Sequence, residues 1–504
     1  MKPQTLVRAV IGQLPIAIAI GVALAAIAGL RGHGAPGLIA AIGVGGEVAA
    51  LPLLAVVHGP RQPFAVQLPN YRRPVEVPTG KSGQAIVGAI VLIMVLAMLT
   101  LPGWVAFVLM LIAGAGLLIN LFLAYRSRRG RDTQRRRIRS AVADHQPRFV
   151  IYTGRRNDAS YQLAMWIPIL ERLAVPYLVV LRHPEALPST RRVTTAPIVV
   201  LPTGSDLDSV IVPGLKVAFY VNGVAENSSF VTYRSLTHIY LGHGDSDKEM
   251  SVHPMHRMFD LVFVAGQAAI DRYAQAGLTV PMDKFVIVGR PQMSGLRRSE
   301  RPIVEADPPT VLFAPTWRGY NAQTVLSSLP LGTKIVSALL ERGATVVFRP
   351  HPFSWLGAGE RVEINAVDDL LRRDRESSGR EHRLAAEGRG ADLAADFDAS
   401  DALITDVGGA LVDYFATGKP YAVVLPPGQS AATSATDYPS TAAAYLIEYD
   451  SIRGDGRQAC TELLHQLLVT DPHADNRIKV AQYYLGDRPG DDQPFLDAVR
   501  SLIG

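Results

Sequence analysis

The chain has 504 residues, of which 48% are hydrophobic and 19% charged, with 44 glycines, 35 prolines and a single cysteine. A mean hydropathy of +0.17 excludes a disordered chain or a collagen-like fibre, and Cys460 alone excludes a disulfide scaffold, a cysteine-rich zinc site and an iron–sulfur site. The net charge is +5, much of it from one arginine cluster.

The apolar excess lies before residue 126. Residues 6–30, with Arg8 near the start, and 36–58, with Glu47 as the one acid, are each long enough for a spanning helix. Residues 85–125 form an uncharged run of 41 positions, long enough for two, with a break expected at Leu101-Pro102-Gly103. Gly43, Gly45 and Gly46 read as a helix-packing face around Glu47. Segment 1–126 therefore reads as an α-helical membrane segment of four spans. Arg126, Arg128, Arg129, Arg131, Arg135, Arg136, Arg137 and Arg139 come after the last one, and the 59–84 loop carries Arg61, Arg72, Arg73 and Lys81. Basic residues on alternate loops place both termini inside. Residues 127–147 then read as a basic juxtamembrane linker facing anionic lipid headgroups, not nucleic acid. The expected localisation is the bacterial cell membrane, multi-pass, with the remainder cytoplasmic. Thr79-Gly80-Lys81-Ser82 is no phosphate loop, since Val75 stands where the first glycine is needed and no strand precedes it.

From Arg148 short apolar runs alternate with amphipathic helices. Strands are predicted at Phe149–Tyr152, Tyr177–Leu181, Ile198–Leu201, Val217–Val221, His238–Leu241, Leu261–Ala265, Phe285–Val288, Val311–Ala314, Thr345–Arg349, Ala402–Thr405 and Tyr421–Val424. Helices are predicted at Ser160–Arg172, Ala268–Gly277, Thr333–Arg342 and Ala410–Ala416. This alternation predicts α/β architecture with parallel sheets covered on both faces. The polar stretch Arg297–Pro309 reads as a hinge, dividing a Rossmann-like domain at 148–300 from a second at 301–504. Residues Arg372–Gly390 read as a surface loop.

Such sheets bind ligands beyond the carboxyl ends of their strands, so the loops there carry the candidate chemistry. His243 stands between Gly242 and Gly244, with little side-chain crowding; a solvated turn is the alternative. Pro315-Thr316-Trp317-Arg318 places an arginine suited to phosphate, or one that merely covers a tryptophan. In Arg349-Pro350-His351-Pro352 two prolines stiffen the loop and fix the imidazole. Thr405-Asp406-Val407-Gly408-Gly409 joins a strand to a helix start, an arrangement that offers backbone N–H groups to an anion; Asp413, Tyr414 and Gly418-Lys419-Pro420 come next. His253, His256 and Asp260 sit close together, but Pro254 and the spacing are awkward for a metal, and a capping role fits them better.

Taken in order, these loops resemble the CDP-glycerol glycerophosphotransferase family, the teichoic acid primases and polymerases of bacterial cell walls. The matching stretches are His243-Gly244, Gly289-Arg290-Pro291, Ala314-Pro315-Thr316-Trp317-Arg318, Arg349-Pro350-His351-Pro352, and Thr405-Asp406 through Asp413-Tyr414 to Lys419-Pro420, over roughly 149–490. The resemblance implies a GT-B-type fold of two Rossmann-like domains facing across a cleft. It also implies transfer of an alcohol phosphate from a CDP-linked donor to a hydroxyl of a lipid-linked envelope glycan, with CMP released and no cofactor or essential metal. By resemblance His243 and His351 are the catalytic pair, with His243 as base. Arg318, Arg349 and His351 hold the donor phosphates, and Thr316, Asp406, Gly408, Gly409, Asp413 and Lys419 complete the substrate site. The sequence departs from the family where Gly242 replaces an aromatic, where Asp245, Ser246 and Asp247 precede Lys248, where Gly408-Gly409 replaces two hydroxyl residues, and where Gln292 replaces an arginine. A nucleotide-sugar glycosyltransferase on the same scaffold, and a non-catalytic membrane assembly or transport component, are the competing readings.

Overall fold

A computed structural model describes residues 3–57, 62–73, 92–93, 95–97, 99–156, 160–247, 252–299, 307–319, 327–390, 392–453 and 462–504. The start of the expected third span, the Thr79–Ser82 segment and positions 300–306 of the expected hinge lie outside them. The chain divides into two compact units. Unit 1 holds residues 1–150, 154–158 and 176–215; unit 2 holds 151–153, 159–175 and 216–504.

Unit 1 begins with helices α1 (Pro3–Leu30) and α2 (Gly34–Val57), then β1 (Phe64–Val66) and the 43-residue helix α3 (Gly103–His145). Small residues let these helices approach closely. A Cβ on Gly45 would lie 3.1 Å from the Ala17 carbonyl oxygen of α1, and one on Gly43 would overlap Met110 of α3. Ala17, Leu24, Ala40, Ala41, Val44 and Ala106 are buried between them, while Ile18, Val22, Ile42, Ile112 and Leu118 face outward.

Among the described residues, no helix is long and apolar enough to cross a membrane. That overturns the four spans, the topology with both termini inside and the multi-pass localisation drawn from them. The expected break is present, with Pro102 as N-cap of α3. Beyond that break α3 is one continuous helix. Its apolar start runs without interruption through the arginine cluster, so residues 127–145 are helix and not linker.

Several of those arginines meet protein. Arg131 Nε donates to Asp206 Oδ1 at 3.0 Å and its Nη2 to Thr203 Oγ1 at 3.1 Å. Arg135 Nε reaches the same Asp206 oxygen at 2.8 Å, and Arg139 reaches the Asp208 carbonyl at 3.1 Å. Burial by itself would raise the Asp206 carboxyl, but hydrogen bonds from Arg131, Thr203 and Arg135 outweigh it and hold the group below its ordinary value. The cluster thus fastens α3 to the turn Gly204–Val210, which Thr203 and Asp206 close as a capping box.

The remaining strands of unit 1 are β3 (Tyr177–Leu181) and β4 (Ile198–Val200), in the order β1-β4-β3 with β1 antiparallel to β4. Strand β2 (Phe149–Thr153) passes from one unit into the other. Unit 2 contains α4 (Ser160–Glu171) and the strands β5 (Val217–Tyr220), β6 (Thr237–Tyr240), β7 (Leu261–Val264) and β8 (Phe285–Ile287), adjacent in that order and parallel. Helix α5 (Gln267–Gln275) comes after β7.

Unit 2 also holds a five-stranded parallel sheet of β9 (Thr310–Ala314), β10 (Thr345–Phe348), β11 (Ala402–Asp406), β12 (Tyr421–Leu425) and β13 (Tyr445–Glu448), in the order β10-β9-β11-β12-β13. Around it lie α6 (Gly332–Glu341), α7 (Ala358–Ser378), α8 (Leu393–Ala399), α9 (Gly409–Tyr414) and α10 (Ala474–Leu485), whereas α11 (Gln493–Ile503) sets Phe495 against Trp166 of α4 and Phe263 of β7. Phe313, Phe348, Val346 and Ile404 fill one face of this sheet, and Leu312, Leu403 and Val423 the other. Burial on both faces explains the unbroken apolar runs of these strands. All eleven predicted strands and four predicted helices are present within a few residues, so the α/β reading holds. The first half of the expected 372–390 loop is the end of α7, whose charged residues form its outer face.

Candidate active site

The loops after β9, β10 and β11 lie at one end of the five-stranded sheet because these strands are neighbours and parallel. Backbone and carboxylate contacts stitch them together. Asp406, the last residue of β11 and fully buried, accepts from Thr316 N at 2.7 Å and from Ser328 N at 3.1 Å. His351 N donates to the Pro315 carbonyl at 3.1 Å, and Thr405 Oγ1 to the Ala314 carbonyl at 2.7 Å. Asp406 therefore orders the Pro315–Arg318 loop.

On the β10 loop, His351 Nδ1 accepts from Phe353 N at 3.1 Å. In the neutral ring the proton then sits on Nε2, which makes His351 a donor toward a ligand. Trp317 stacks on His351 with ring centroids 6.2 Å apart. Arg349 Nη1 donates to the buried Asp396 at 2.5 Å. Arg318, exposed, pairs with Glu363 of α7 at 2.5 Å. Partial burial raises the Glu363 carboxyl, against the pull of Arg318. Both arginines sit where the sequence placed them, each already holding a carboxylate.

His243 leaves the end of β6. Gly242 takes φ of +66°, which a side chain there would resist. The His243 Nδ1 lies 3.1 Å from the Val221 carbonyl oxygen. A carbonyl only accepts, so Nδ1 carries the proton and Nε2 is the basic nitrogen. The two neutral histidines thus hold opposite tautomers, His243 with its proton on Nδ1 and His351 with its proton on Nε2.

The acidic residues after His243 are anchors. Asp245 and Asp247 both pair with Arg272 of α5, the second at 3.2 Å. Asp247 also accepts from Tyr484 Oη of α10 at 2.6 Å and from Ser440 N at 2.8 Å. Burial, then the Asp247 charge, pushes the Tyr484 phenol far above its ordinary range, so it stays a donor. A Cβ on Gly409 would lie 3.8 Å from the Asp245 carbonyl oxygen, so the His243 loop reaches the start of α9. Trp166 Nε1 donates to the Gly242 carbonyl at 2.8 Å. A small cavity beneath the loop is lined by Trp166, Gly242, Asp245, Arg272 and Arg290.

Two expected ligands of substrate are engaged elsewhere. Asp413 of α9 accepts from Arg290 Nε at 2.6 Å and Nη2 at 3.2 Å, in a pair nearly closed to solvent. Burial would lower the Arg290 guanidinium, but the Asp413 charge outweighs it and raises it. Lys419 precedes β12, and so sits at the opposite, amino end of the sheet from the β9–β11 loops. Its ammonium donates to the carbonyls of Phe397, Asp398 and Ser400 at 2.8, 3.1 and 2.6 Å, which uses all three protons. The position of Gly418-Lys419-Pro420 before a strand was the available signal. Gly408 is extended and opens α9, which is only six residues long.

The grouped histidines and Asp260 are engaged with neighbouring protein groups. His253 caps the turn Pro254–Met258, Asp260 pairs with Arg234, and His256 lies 2.6 Å from Tyr273 Oη. Burial, with His253 and His243 nearby, lowers the His256 pKa to about 4.

Residues 283–427 match the family model for CDP-Glycerol:Poly(glycerophosphate) glycerophosphotransferase. That stretch contains Thr316 and Arg318 after β9, Arg349 and His351 after β10, and Asp406 at the end of β11. The chain is a CDP-glycerol glycerophosphotransferase-like enzyme. No curated protein matches it. Solved structures similar to this transferase include the wall teichoic acid polymerase TagF, at 12% identity over 74% of this chain and 94% of that one, with a TM-score of 0.45. A glycosyltransferase from Rickettsia africae ESF-5 matches at 9% over 70% and 97%, TM-score 0.40. A UDP-N-acetylglucosamine 2-epimerase matches at 14% over 68% and 92%, TM-score 0.38. At such low identity no residue role is carried over from them to the transferase. His243 lies outside the family-matched segment, and so do Asp247, Arg272 and Tyr484, anchors that no local motif singles out.

Proposed function

We propose that this transferase moves glycerol phosphate, or a similar polyol phosphate, from a CDP-linked donor to a hydroxyl of a lipid-linked cell-wall or envelope glycan, with CMP as the leaving product. His243 Nε2 takes the proton of the attacking hydroxyl as the new P–O bond forms and the bond to CMP breaks. His351 donates from Nε2 to the phosphate region, and Arg318 and Arg349 supply cationic charge there. Phosphoryl transfer is mostly positioning and charge stabilisation, which is what such groups provide. Thr316, Gly408 and Gly409 border the nucleotide end, and Asp406 holds their loops. The reaction is proposed to need no metal. Arg318 exchanges Glu363 for the donor phosphate on binding.

The observation that supports this most is the paired tautomers: a carbonyl-held His243 with a basic Nε2, and an amide-held His351 with a donating Nε2. The test is CMP release by the purified full chain from CDP-glycerol, CDP-ribitol and UDP-sugars, with EDTA in a parallel arm. His243→Ala should lower turnover by about 10²- to 10⁴-fold, the usual effect of a lost general base, with CDP binding intact. Full activity in His243→Ala moves the base elsewhere. Release of UDP from a sugar donor, with no CMP from any CDP-alcohol, turns the reading to a glycosyltransferase.

A further inference from the structure

We propose that unit 1 carries a second anion site, a loop for a phosphate group built by Arg182 and the His183-Pro184 turn at the carboxyl end of β3. Arg182 is the first residue beyond this fully buried strand. Its Nε and Nη1 are closed off from solvent, yet neither makes a hydrogen bond. Other enclosed arginines meet a carboxylate: Arg131 has Asp206, Arg272 has Asp245, Arg290 has Asp413 and Arg477 has Asp471. Among the described residues Arg182 has none. A guanidinium held this way costs stability unless an anion completes it, and its planar fork matches phosphate oxygens.

The local build is one the molecule uses twice. Leu181-Arg182-His183-Pro184 comes after β3 as Phe348-Arg349-Pro350-His351-Pro352 comes after β10. Each arginine directly succeeds a buried parallel strand, and each histidine is the N-cap of a 3-10 turn opened by the next proline. The difference is the counter-ion: Asp396 takes Arg349, whereas Arg182 is left for an outside anion. Glu185, the one acid of the turn, is exposed. Arg155 and Arg156 lie in the same unit and add positive charge to it. Ligands of such sheets bind at this end. The ligand class is a phosphomonoester or phosphodiester. That its source is a polyol phosphate chain rests on the transferase reading; the anion site does not.

The test uses the purified full chain, saturated with CDP so that the donor loops are filled. One calorimetric arm titrates inorganic phosphate, the other a glycerol phosphate oligomer. Wild type should bind at least one, and Arg182→Gln should bind it tenfold or more weakly, the loss expected for one charge-assisted contact, with CDP affinity unchanged. Tighter binding of the oligomer identifies a phosphodiester chain as the ligand, and tighter binding of phosphate a free anion. Without any anion, Arg182→Gln should be at least as heat-stable as wild type, since it removes an unpaired cation. Equal affinity of variant and wild type in both arms, or a less stable Arg182→Gln, overturns the proposal. If Arg182→Gln does not fold, Arg182→Lys is read instead: it keeps the charge without the fork, so unchanged binding overturns the site. A wild type that binds no CDP fails the transferase reading alone, and the two arms are then run without CDP.

Discussion

Asp247→Ala should destabilise the enzyme by about 3 kcal/mol and slow it about tenfold. The Asp247 carboxylate is 3% exposed and Arg272 11%, so solvent screens their pair little. Asp247 holds Tyr484 Oη at 2.6 Å, Ser440 N at 2.8 Å and Arg272 at 3.2 Å. Removing one partner of a buried pair costs about 3–5 kcal/mol. Asp245 still holds Arg272, which places the figure at the lower end. Asp247→Asn keeps an oxygen for Tyr484 but turns an amide N–H toward Ser440 N–H, a mismatch of about 1–3 kcal/mol. His243 lies four residues upstream on the same loop, so slackening the anchor should lower kcat. The donor KM should hold, because the β9 and β10 loops are untouched. Urea denaturation gives the first quantity and CMP release the second. A destabilisation below about 0.5 kcal/mol, set against the typical cost of a lost buried partner, or a change confined to KM, refutes the anchoring role.

Lys419→Met should cost about 2 kcal/mol by denaturation, from charged hydrogen bonds to three carbonyls, with CDP affinity unchanged; weakened CDP binding at full stability restores a substrate role. Asp406→Ala should weaken CDP binding and lower stability by about 2 kcal/mol, since two buried N–H groups lose their acceptor; calorimetry and denaturation check both. His256, with a folded pKa of about 4 against an ordinary value near 6.5, resists protonation in the fold. Its contribution is complete above about pH 6.5 and is lost as pH falls toward 4, reaching about 2 kcal/mol at pH 5. His256→Gln should flatten that slope, and an unchanged stability profile excludes His256 as its source.

The order of elements was readable from residues alone. Strands buried on both faces are unbroken apolar runs, so Val311–Ala314 and Tyr421–Val424 stood out at once. The strands Phe64–Val66 and Tyr445–Glu448 did not, because neither is an unbroken buried apolar run: Val66 is half-buried, and Tyr445–Glu448 alternates buried and half-buried residues and ends on an acid. Arg318, Arg349, His351 and Asp406 were expected together because ligand loops succeed parallel strands, and the fold does set them at one end of the five-stranded sheet. Lys419 was placed with them on a motif, although it precedes its strand and so belongs to the other end of the sheet.

Apolar length was likewise readable at 6–30 and 85–125, but the fate of those stretches depends on their neighbours. Glycines bring α1, α2 and α3 together, α3 runs on through the arginines to 145, and Asp206, far along the chain, takes two of them. No local pattern names the partner of a charge. Asp247 was legible as an acid beside a histidine, and only the fold brings Arg272, Ser440 and Tyr484 to it. Local sequence decides secondary structure and which end of a strand is used, because those depend on residues a few positions apart. Tertiary structure decides which charge is a ligand and which is an anchor, because that depends on what the chain brings back from hundreds of residues away.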